Sequence, residues 1–126
     1  MKKTLLFTVL FLFILAGCST EKSYPTVSLK DAKQKIDQGA AVIDVRTPEE
    51  YAAGHIPNAI LVPLQDIQAD PKAALQKLDP KQEYIVICRS GNRSKAASEI
   101  MWSQGFKSII NTETGMKDWP YDTVTN

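Results

Sequence analysis

The residues best suited to chemistry lie together between positions 84 and 94. An apolar, β-prone run, Tyr84–Ile87, leads into Cys88, and a short polar segment follows it: Arg89-Ser90-Gly91-Asn92-Arg93-Ser94. We predict no regular structure over this segment and a helix that begins at Lys95. Backbone N–H groups in such a loop point inward, and the positive end of the helix reinforces them. Because these groups favour a thiolate over a thiol, we predict that Cys88 is a nucleophile in an anion-binding loop.

The residues around Cys88 have candidate roles in binding an anionic substrate. Gly91 allows backbone conformations that other residues avoid. Arg89 and Arg93 bring permanent charge and planar donors that suit an oxyanion, although Arg93 could instead pair with an acid on the domain surface. Ser90 and Ser94 are expected to bond to the loop backbone or to cap the helix. The predicted substrate-binding residues are therefore Arg89, Ser90, Gly91, Asn92, Arg93 and Ser94.

The first residues of the chain have the pattern of a signal peptide. Two lysines precede an apolar run at 5–15, and small residues then lead to Cys18. The run is shorter than the roughly 20 apolar residues of a membrane-spanning helix. The stretch Leu15-Ala16-Gly17-Cys18 resembles a bacterial lipobox, which implies cleavage before Cys18 and lipidation of that residue. An ordinary secretory signal that happens to hold a cysteine is the alternative.

These features predict the organisation and the location of the protein. We expect a lipoprotein signal peptide at 1–17, a polar tether at 18–24 and a folded domain at 25–126. The lipid on Cys18 would anchor the exported domain to a bacterial membrane, on its extracytoplasmic face or in a periplasm.

The composition narrows the remaining possibilities. A formal net charge of +1 over 126 residues argues against general nucleic-acid binding. If Cys18 is lipidated, Cys88 is the remaining thiol, and no disulfide can form within the chain. A lone cysteine is often a small buried apolar residue, but its position before an Arg-, Gly- and Ser-rich segment favours the nucleophile. The sequence has no spacing typical of metal ligands, and we expect neither a metal nor an organic cofactor.

Strand-like and helix-like segments alternate along residues 25–120. Apolar runs predict strands at 25–27, 40–45, 59–63, 84–87 and 106–111, and helices are predicted between them. Ser28 and Thr47 are predicted N-caps, and Glu50 completes a capping box with Thr47. A helical region at 66–78, interrupted near Asp70, and a closing turn at 115–120 complete the pattern. Such alternation predicts an α/β domain, a parallel sheet with helices on both faces.

The predicted topology brings a second segment near Cys88. Sites in open α/β sheets lie at the carboxyl ends of strands. Asp44 and Arg46 end one buried strand as Cys88 ends another, and we predict that they form an ion pair that supports the loop structurally. Two further side chains are expected in the core, Trp102 and Trp119.

Four motifs resemble the rhodanese family of sulfurtransferases, specifically its single-domain members. They are Asp44-Val45-Arg46 with Pro48-Glu49-Glu50-Tyr51, then Gly54-His55-Ile56-Pro57-Asn58-Ala59, then the segment from Cys88 to Ser94, and then Gly115-Met116-Lys117-Asp118-Trp119. The motifs occur in the order of the family and span almost the whole predicted domain. The resemblance implies a five-stranded parallel sheet and a structural role for His55. Many members have two glycines where this chain has Thr114-Gly115, which leaves the local backbone open.

The resemblance also implies a reaction. Cys88 would take the outer sulfur of thiosulfate as a persulfide, sulfite would leave, and cyanide or a thiol would then accept the sulfur. One alternative is a sulfur-carrying or redox interaction module that passes its persulfide to a protein partner. A cysteine phosphatase or arsenate reductase is a weaker alternative. Their signature has one more residue between cysteine and arginine, and the shorter loop here suits a single sulfur atom.

Overall fold

The sheet has five parallel strands in the order β1-β5-β4-β2-β3, in a computed structural model that describes residues 23–126. The predicted fold class is confirmed. The predicted signal peptide, Cys18 and most of the tether lie outside the described residues. The elements are β1 (Thr26–Val27), α1 (Leu29–Asp37), β2 (Ala41–Asp44), α2 (Pro48–Ala53), β3 (Ile60–Leu61), α3 (Leu64–Ala69), α4 (Pro71–Leu75), β4 (Tyr84–Ile87), α5 (Asn92–Ser103), β5 (Ile109–Thr112) and a 3₁₀ turn (Met116–Asp118).

Apolar side chains are buried on both faces of the sheet, because successive strand residues point to opposite sides. One cluster joins the sheet to α3, α4 and α5 through Ile43, Val86, Ile67, Leu75 and Met101. The other joins it to α1 through Val42, Ile85, Ile110 and Ala32. Each fully buried isoleucine contributes about 1.5–3 kcal/mol of transfer free energy, so the helices are held against both faces as the sequence predicts.

The predicted N-caps start α1 and α2. The Ser28 hydroxyl accepts a hydrogen bond from the Asp31 N–H at 3.1 Å. Thr47 and Glu50 form the predicted capping box, since the Thr47 hydroxyl accepts from the Glu50 N–H at 3.2 Å and the Glu50 carboxylate accepts from the Thr47 N–H at 3.3 Å. These bonds satisfy N–H groups that have no partner within the helix.

Two predicted helix starts are wrong. Helix α3 begins at Leu64 rather than at residue 66, although the predicted break at Asp70 is present. Helix α5 begins at Asn92 rather than Lys95. Gly91 has a φ of 103°, and this left-handed turn lets the helix start at the next residue. Asn92, Arg93 and Ser94 thus belong to the first turn of α5 rather than to the loop.

Candidate active site

The carboxyl ends of β2 and β4 bring the two predicted parts of the site together. The parallel register sets Asp44 beside Ile87, and the Val45 N–H donates to the Ile87 carbonyl at 3.0 Å. Cys88, the residue after β4, therefore begins next to the segment that contains Asp44 and Arg46, at the edge where open α/β sheets bind ligands.

The Cys88 sulfur accepts hydrogen bonds from the loop that follows it. The Gly91 N–H donates to Sγ at 3.0 Å, and the N–H groups of Ser90 and Ser94 also contribute. The Cys88 side chain is 1% exposed. Although it is buried, its polar neighbours are inward-pointing amides, which is the arrangement expected of an anion-binding loop.

The environment of Cys88 lowers the pKa of its thiol. Burial alone raises the pKa, because it disfavours the charged form, but hydrogen bonds from Ser94, Gly91 and Ser90 lower it further than burial raises it. The Ser94 hydroxyl also donates to the Gly91 carbonyl at 3.0 Å. A thiolate attracts the Ser94 hydroxyl proton more strongly than a neutral thiol does. Ser94 therefore favours the ionised sulfur.

A segment near the C-terminus holds the loop in place. The Met116 N–H donates to the Cys88 carbonyl at 2.8 Å, and the Lys117 N–H donates to the Arg89 carbonyl at 3.1 Å. A Cβ on Gly115 would lie 2.1 Å from the Cys88 carbonyl oxygen, so only glycine permits this approach. The chain thus retains the glycine that the contact requires. No role in the site was predicted for these residues, and Gly115 in the fourth motif was the one signal in the sequence.

The ion pair predicted between Asp44 and Arg46 is present and buried. Arg46 Nη2 donates to Asp44 Oδ2 at 2.7 Å, and Nε donates to Oδ1 at 3.0 Å. Nη2 also donates to the Gly54 carbonyl at 2.8 Å. Asp44 and Arg46 are 0% and 6% exposed. Arg46 therefore connects the end of β2 to the end of α2 beside the loop, and its support of the loop remains a prediction.

Arg93 forms a surface ion pair, which was the predicted alternative to donor binding. Its Nη1 and Nη2 donate to the two carboxylate oxygens of Glu50 at 2.6 and 2.9 Å. This bidentate contact joins the first turns of α5 and α2. It lowers the pKa of Glu50 to about 2, chiefly through the hydrogen bonds from Arg93. Donor binding by Arg93 stays a prediction.

A cavity of about 470 Å³ opens at this end of the sheet. Arg89 lines it, whereas the other exposed side chains of the predicted segment, Ser90 and Asn92, do not. The buried Cys88 thiol precedes Arg89 but does not itself line the cavity. The lining includes Arg46, Glu50, Arg89, Met116, Lys117, Trp119 and Tyr121.

The two tryptophans have different surroundings. Trp102 is half-buried against the core cluster on the α5 side, in partial agreement with the prediction. Trp119 packs partly on the opposite cluster but also lines the cavity, where its ring meets that of Tyr121 edge to face at 5.0 Å. Trp119 is therefore not a simple core residue, and the cavity has an aromatic side.

His55 has the structural role that was expected of it. It is 2% exposed, and its ring stacks on that of Tyr51 with 3.6 Å between centroids. Nδ1 is hydrogen-bonded to the Tyr51 carbonyl at 2.8 Å. The backbone of His55 exchanges two hydrogen bonds of 2.9 Å with Val124. These contacts fix the C-terminal segment against α2, and none involves Cys88.

Residues 23–126 lack two other kinds of feature. That part of the chain contains no group of three or more His, Cys, Asp or Glu side chains placed to hold a metal ion. It also contains no helix of the length and apolar character needed to cross a membrane.

Known proteins resemble this chain in sequence. The family profile of the rhodanese-like domain matches residues 28–121. "Putative sulfurtransferase YtwF" of Bacillus subtilis is 39% identical over 102 residues, which cover 81% of this chain and 93% of that protein. "Putative sulfur carrier protein YrkF" of the same organism is 41% identical over 99 residues, or 77% of this chain. The match spans only 51% of the latter protein.

Solved structures resemble the chain in fold. The crystal structure of a rhodanese-related protein from Thermoplasma volcanium has a TM-score of 0.71 and 32% identity, and the match covers 82% of this chain and all of that one. The human single-domain sulfurtransferase TSTD1 has a TM-score of 0.65 and 29% identity, with 77% of this chain and 96% of that one covered.

Proposed function

We propose that this chain, which belongs to the rhodanese-like family of single-domain sulfurtransferases, moves the outer sulfur of thiosulfate to a thiol or cyanide through a persulfide on Cys88. The observation that supports the proposal most directly is the inward turn of the loop amides, with the Gly91 N–H 3.0 Å from Sγ. Such donors favour a thiolate before the reaction and an anionic persulfide after it, as an oxyanion hole favours its intermediate.

The proposed cycle has two displacements at sulfur. The Cys88 thiolate attacks the outer sulfur of thiosulfate and forms a new S–S bond. The bond between the two thiosulfate sulfurs breaks, and its electron pair leaves with sulfite, so that Cys88 holds an anionic persulfide. In the second step, an acceptor thiolate or cyanide attacks the terminal sulfur. The bond to Cys88 breaks, the thiolate returns, and the acceptor leaves as a persulfide or as thiocyanate.

The neighbouring residues support this cycle in different ways. We propose that Arg89, which is exposed and lines the cavity, attracts and orients the sulfonate end of the donor. The amides of Ser90, Gly91 and Ser94 stabilise the sulfur anion. Asn92 begins α5 at the loop, and substrate binding by Asn92 stays a prediction. The cycle requires no metal and no organic cofactor.

Intact-mass measurement after incubation with thiosulfate tests the proposal. The wild-type protein should gain the mass of one sulfur atom and lose it on addition of cyanide, with formation of thiocyanate. Cys88→Ser should gain nothing. A wild-type protein that does not retain sulfur would overturn this assignment. Release of phosphate from an aryl phosphate without formation of thiocyanate would favour the phosphatase alternative.

A sulfur-carrier role is the second candidate. It is favoured by the similarity to the Bacillus subtilis protein whose name describes a sulfur carrier. In that case the acceptor is a protein, and the exposed rim of the cavity would meet it. Slow turnover of thiosulfate with small acceptors, together with fast persulfide transfer to a co-purifying protein, would distinguish the carrier from a free-standing enzyme.

We also propose that the domain is exported and anchored by a lipid on Cys18, as the lipobox-like stretch predicts. Expression of the full chain in a bacterium should give a membrane-bound protein that incorporates labelled fatty acid. Cys18→Ala should abolish the labelling, and labelling that persists in this variant would contradict the proposal.

A further inference from the structure

The charged side chains that line the cavity are unequally paired. Arg46 is neutralised by Asp44, and Glu50 is neutralised by Arg93. The two other charged residues of the lining are Arg89 and Lys117. Neither forms an ion pair within residues 23–126. The cavity therefore has two cations to offer an anionic ligand.

The two cations are fixed near each other and near the reactive residue by the backbone. The Lys117 N–H donates to the Arg89 carbonyl at 3.1 Å, and the preceding amide, of Met116, donates to the Cys88 carbonyl at 2.8 Å. Because a backbone hydrogen bond joins Lys117 to Arg89, their side chains leave the backbone close enough together to contact the same ligand. Both Arg89 and Lys117 are exposed, so their charges remain hydrated and the side chains can rotate toward an anion.

We propose that Lys117 is a substrate-binding residue that, with Arg89, binds the anionic group of a sulfur donor or acceptor while sulfur moves to or from Cys88. The inference rests on the proposed sulfurtransferase function. A sulfonate and a carboxylate present the same chemistry to two cations: charged oxygens at a short distance from the reacting sulfur. Thiosulfate carries the sulfonate-like group and an acidic thiol carries the carboxylate. Thiosulfate reacts in the first half-reaction and the thiol in the second, so measuring each half-reaction separately distinguishes the two ligands.

The variant Lys117→Gln removes the charge but keeps the backbone N–H that bonds to Arg89. Its unfolding in urea should therefore match that of the wild type. Lys117→Arg keeps the charge and should restore any lost binding. Lys81→Gln is the matched control. Lys81 is exposed in the loop before β4, at the amino-terminal ends of the strands, and it does not line the cavity.

The two half-reactions are measured separately by quenched intact-mass analysis. Loading uses thiosulfate. Discharge of the isolated persulfide uses mercaptosuccinate, which is anionic, and 2-mercaptoethanol, which is neutral. Lys117→Gln should raise the concentration needed for half-maximal rate about fivefold for the anionic ligand, as expected for the loss of one exposed ion pair. The maximal rate and the reaction with 2-mercaptoethanol should be unchanged.

Each outcome has a definite meaning. Weaker loading assigns Lys117 to the donor sulfonate, and weaker discharge by mercaptosuccinate alone assigns it to the acceptor. Equal behaviour of Lys117→Gln and wild type in both half-reactions overturns the inference while leaving the persulfide mechanism intact. A wild-type protein that never gains sulfur overturns the proposed function and this inference together.

Discussion

Glu50→Gln should destabilise the domain by about 1 kcal/mol near neutral pH, because it removes the charge that pairs with Arg93. The replacement is nearly isosteric. Its amide oxygen can still accept from the Thr47 N–H, so the capping box of α2 should persist. The substitution therefore tests the ion pair between α2 and α5 rather than the helix cap.

The magnitude follows from the pKa of Glu50. Hydrogen bonds from Arg93, followed by smaller contributions that include those from Thr47, lower this pKa from 4.5 to about 2. A shift of that size is equivalent to roughly 3 kcal/mol, of which the Arg93 contact supplies only a part. The side chains of Arg93 and Glu50 are 34% and 29% exposed. Solvent and salt therefore screen the pair. Exposed ion pairs typically contribute up to about 1 kcal/mol to the free energy of unfolding, and we expect a loss of that size here.

The sign of the pH dependence is fixed by the direction of the shift. Since the folded pKa of Glu50 lies below the unfolded value, the stabilisation is complete above 4.5 and is lost as the pH falls through about 2. Urea unfolding followed by circular dichroism should therefore show a gap between wild type and Glu50→Gln that closes over this window. Glu49→Gln is the control, as the exposed neighbour of Glu50 in the same helical turn.

Two results would refute this reasoning. One is a Glu50→Gln protein as stable as the wild type near neutral pH. The other is a gap of constant size down to acid pH, which would mean that the substitution disturbs the cap and not the ion pair.

The same pair decides between the two roles predicted for Arg93. A double variant, Glu50→Gln with Arg93→Gln, removes both charges and leaves the net charge unchanged. We expect its KM for thiosulfate to stay within about twofold of wild type, because Arg89 and Lys117 line the cavity and Arg93 does not. A KM that rises about tenfold would instead assign Arg93 to donor binding.

Three further predictions concern the loop and its support. Ser94→Ala should raise the pKa of Cys88, because it removes the hydroxyl that helps to lower it, and the thiolate absorbance at ultraviolet wavelengths should titrate at higher pH than in wild type. Gly115→Ala should reduce the rate of sulfur loading about tenfold or more and cost about 1–3 kcal/mol in urea unfolding, since the new Cβ would displace the Cys88 carbonyl. Asp44→Asn should cost about 3–5 kcal/mol, because it leaves the buried Arg46 charge unpaired.

Each of these variants has a matched comparison in the chain. Ser98→Ala removes a buried hydroxyl from the same helix as Ser94 without contact to the sulfur. Gly39→Ala adds a Cβ that meets nothing within 4 Å, so its cost is backbone strain alone. Lys33→Gln breaks an exposed ion pair with Asp37 and should change stability far less than Asp44→Asn. The explanations would be contradicted if Ser98→Ala raised the pKa of Cys88 as much as Ser94→Ala does, or if Gly39→Ala slowed sulfur loading as much as Gly115→Ala does. Equal losses of stability in Lys33→Gln and Asp44→Asn would contradict the third.

The fold was predictable because its signals are local. The capping box at Thr47 and the apolar run before Cys88 lie within a few residues of the structure they specify. The alternation of strands and helices then determines a parallel sheet, and the parallel sheet places Asp44 beside the residue before Cys88. The position of Cys88 beside the buried Asp44–Arg46 ion pair could thus be predicted from short-range patterns and one topological rule.

The remaining features of the site depend on contacts that no local pattern contains. Arg93 meets a carboxylate 43 residues earlier in the chain, and either partner alone resembles an ordinary surface charge. Lys117 reaches the cavity because its backbone bonds to Arg89, which no spacing of charged residues indicates. The early start of α5 depends on the φ of Gly91, whose left-handed turn is permitted by its residue type but not demanded by it.

The chemistry of Cys88 therefore belongs to two chain segments rather than to one loop. The spacing after Cys88 determines which amides can reach the sulfur, but a peptide group orients its N–H only as firmly as its carbonyl is held. Here the Arg89 carbonyl, which shares a peptide group with the Ser90 N–H, is bound by Lys117, and the adjacent Cys88 carbonyl is bound by Met116. Because Gly115 makes that approach possible, we expect the fourth motif to influence the acidity of the thiol through the Ser90 N–H, without touching the sulfur. A chain with the loop sequence but a bulkier residue at position 115 would have the same donors, but the direction of the Ser90 N–H would no longer be fixed by this contact.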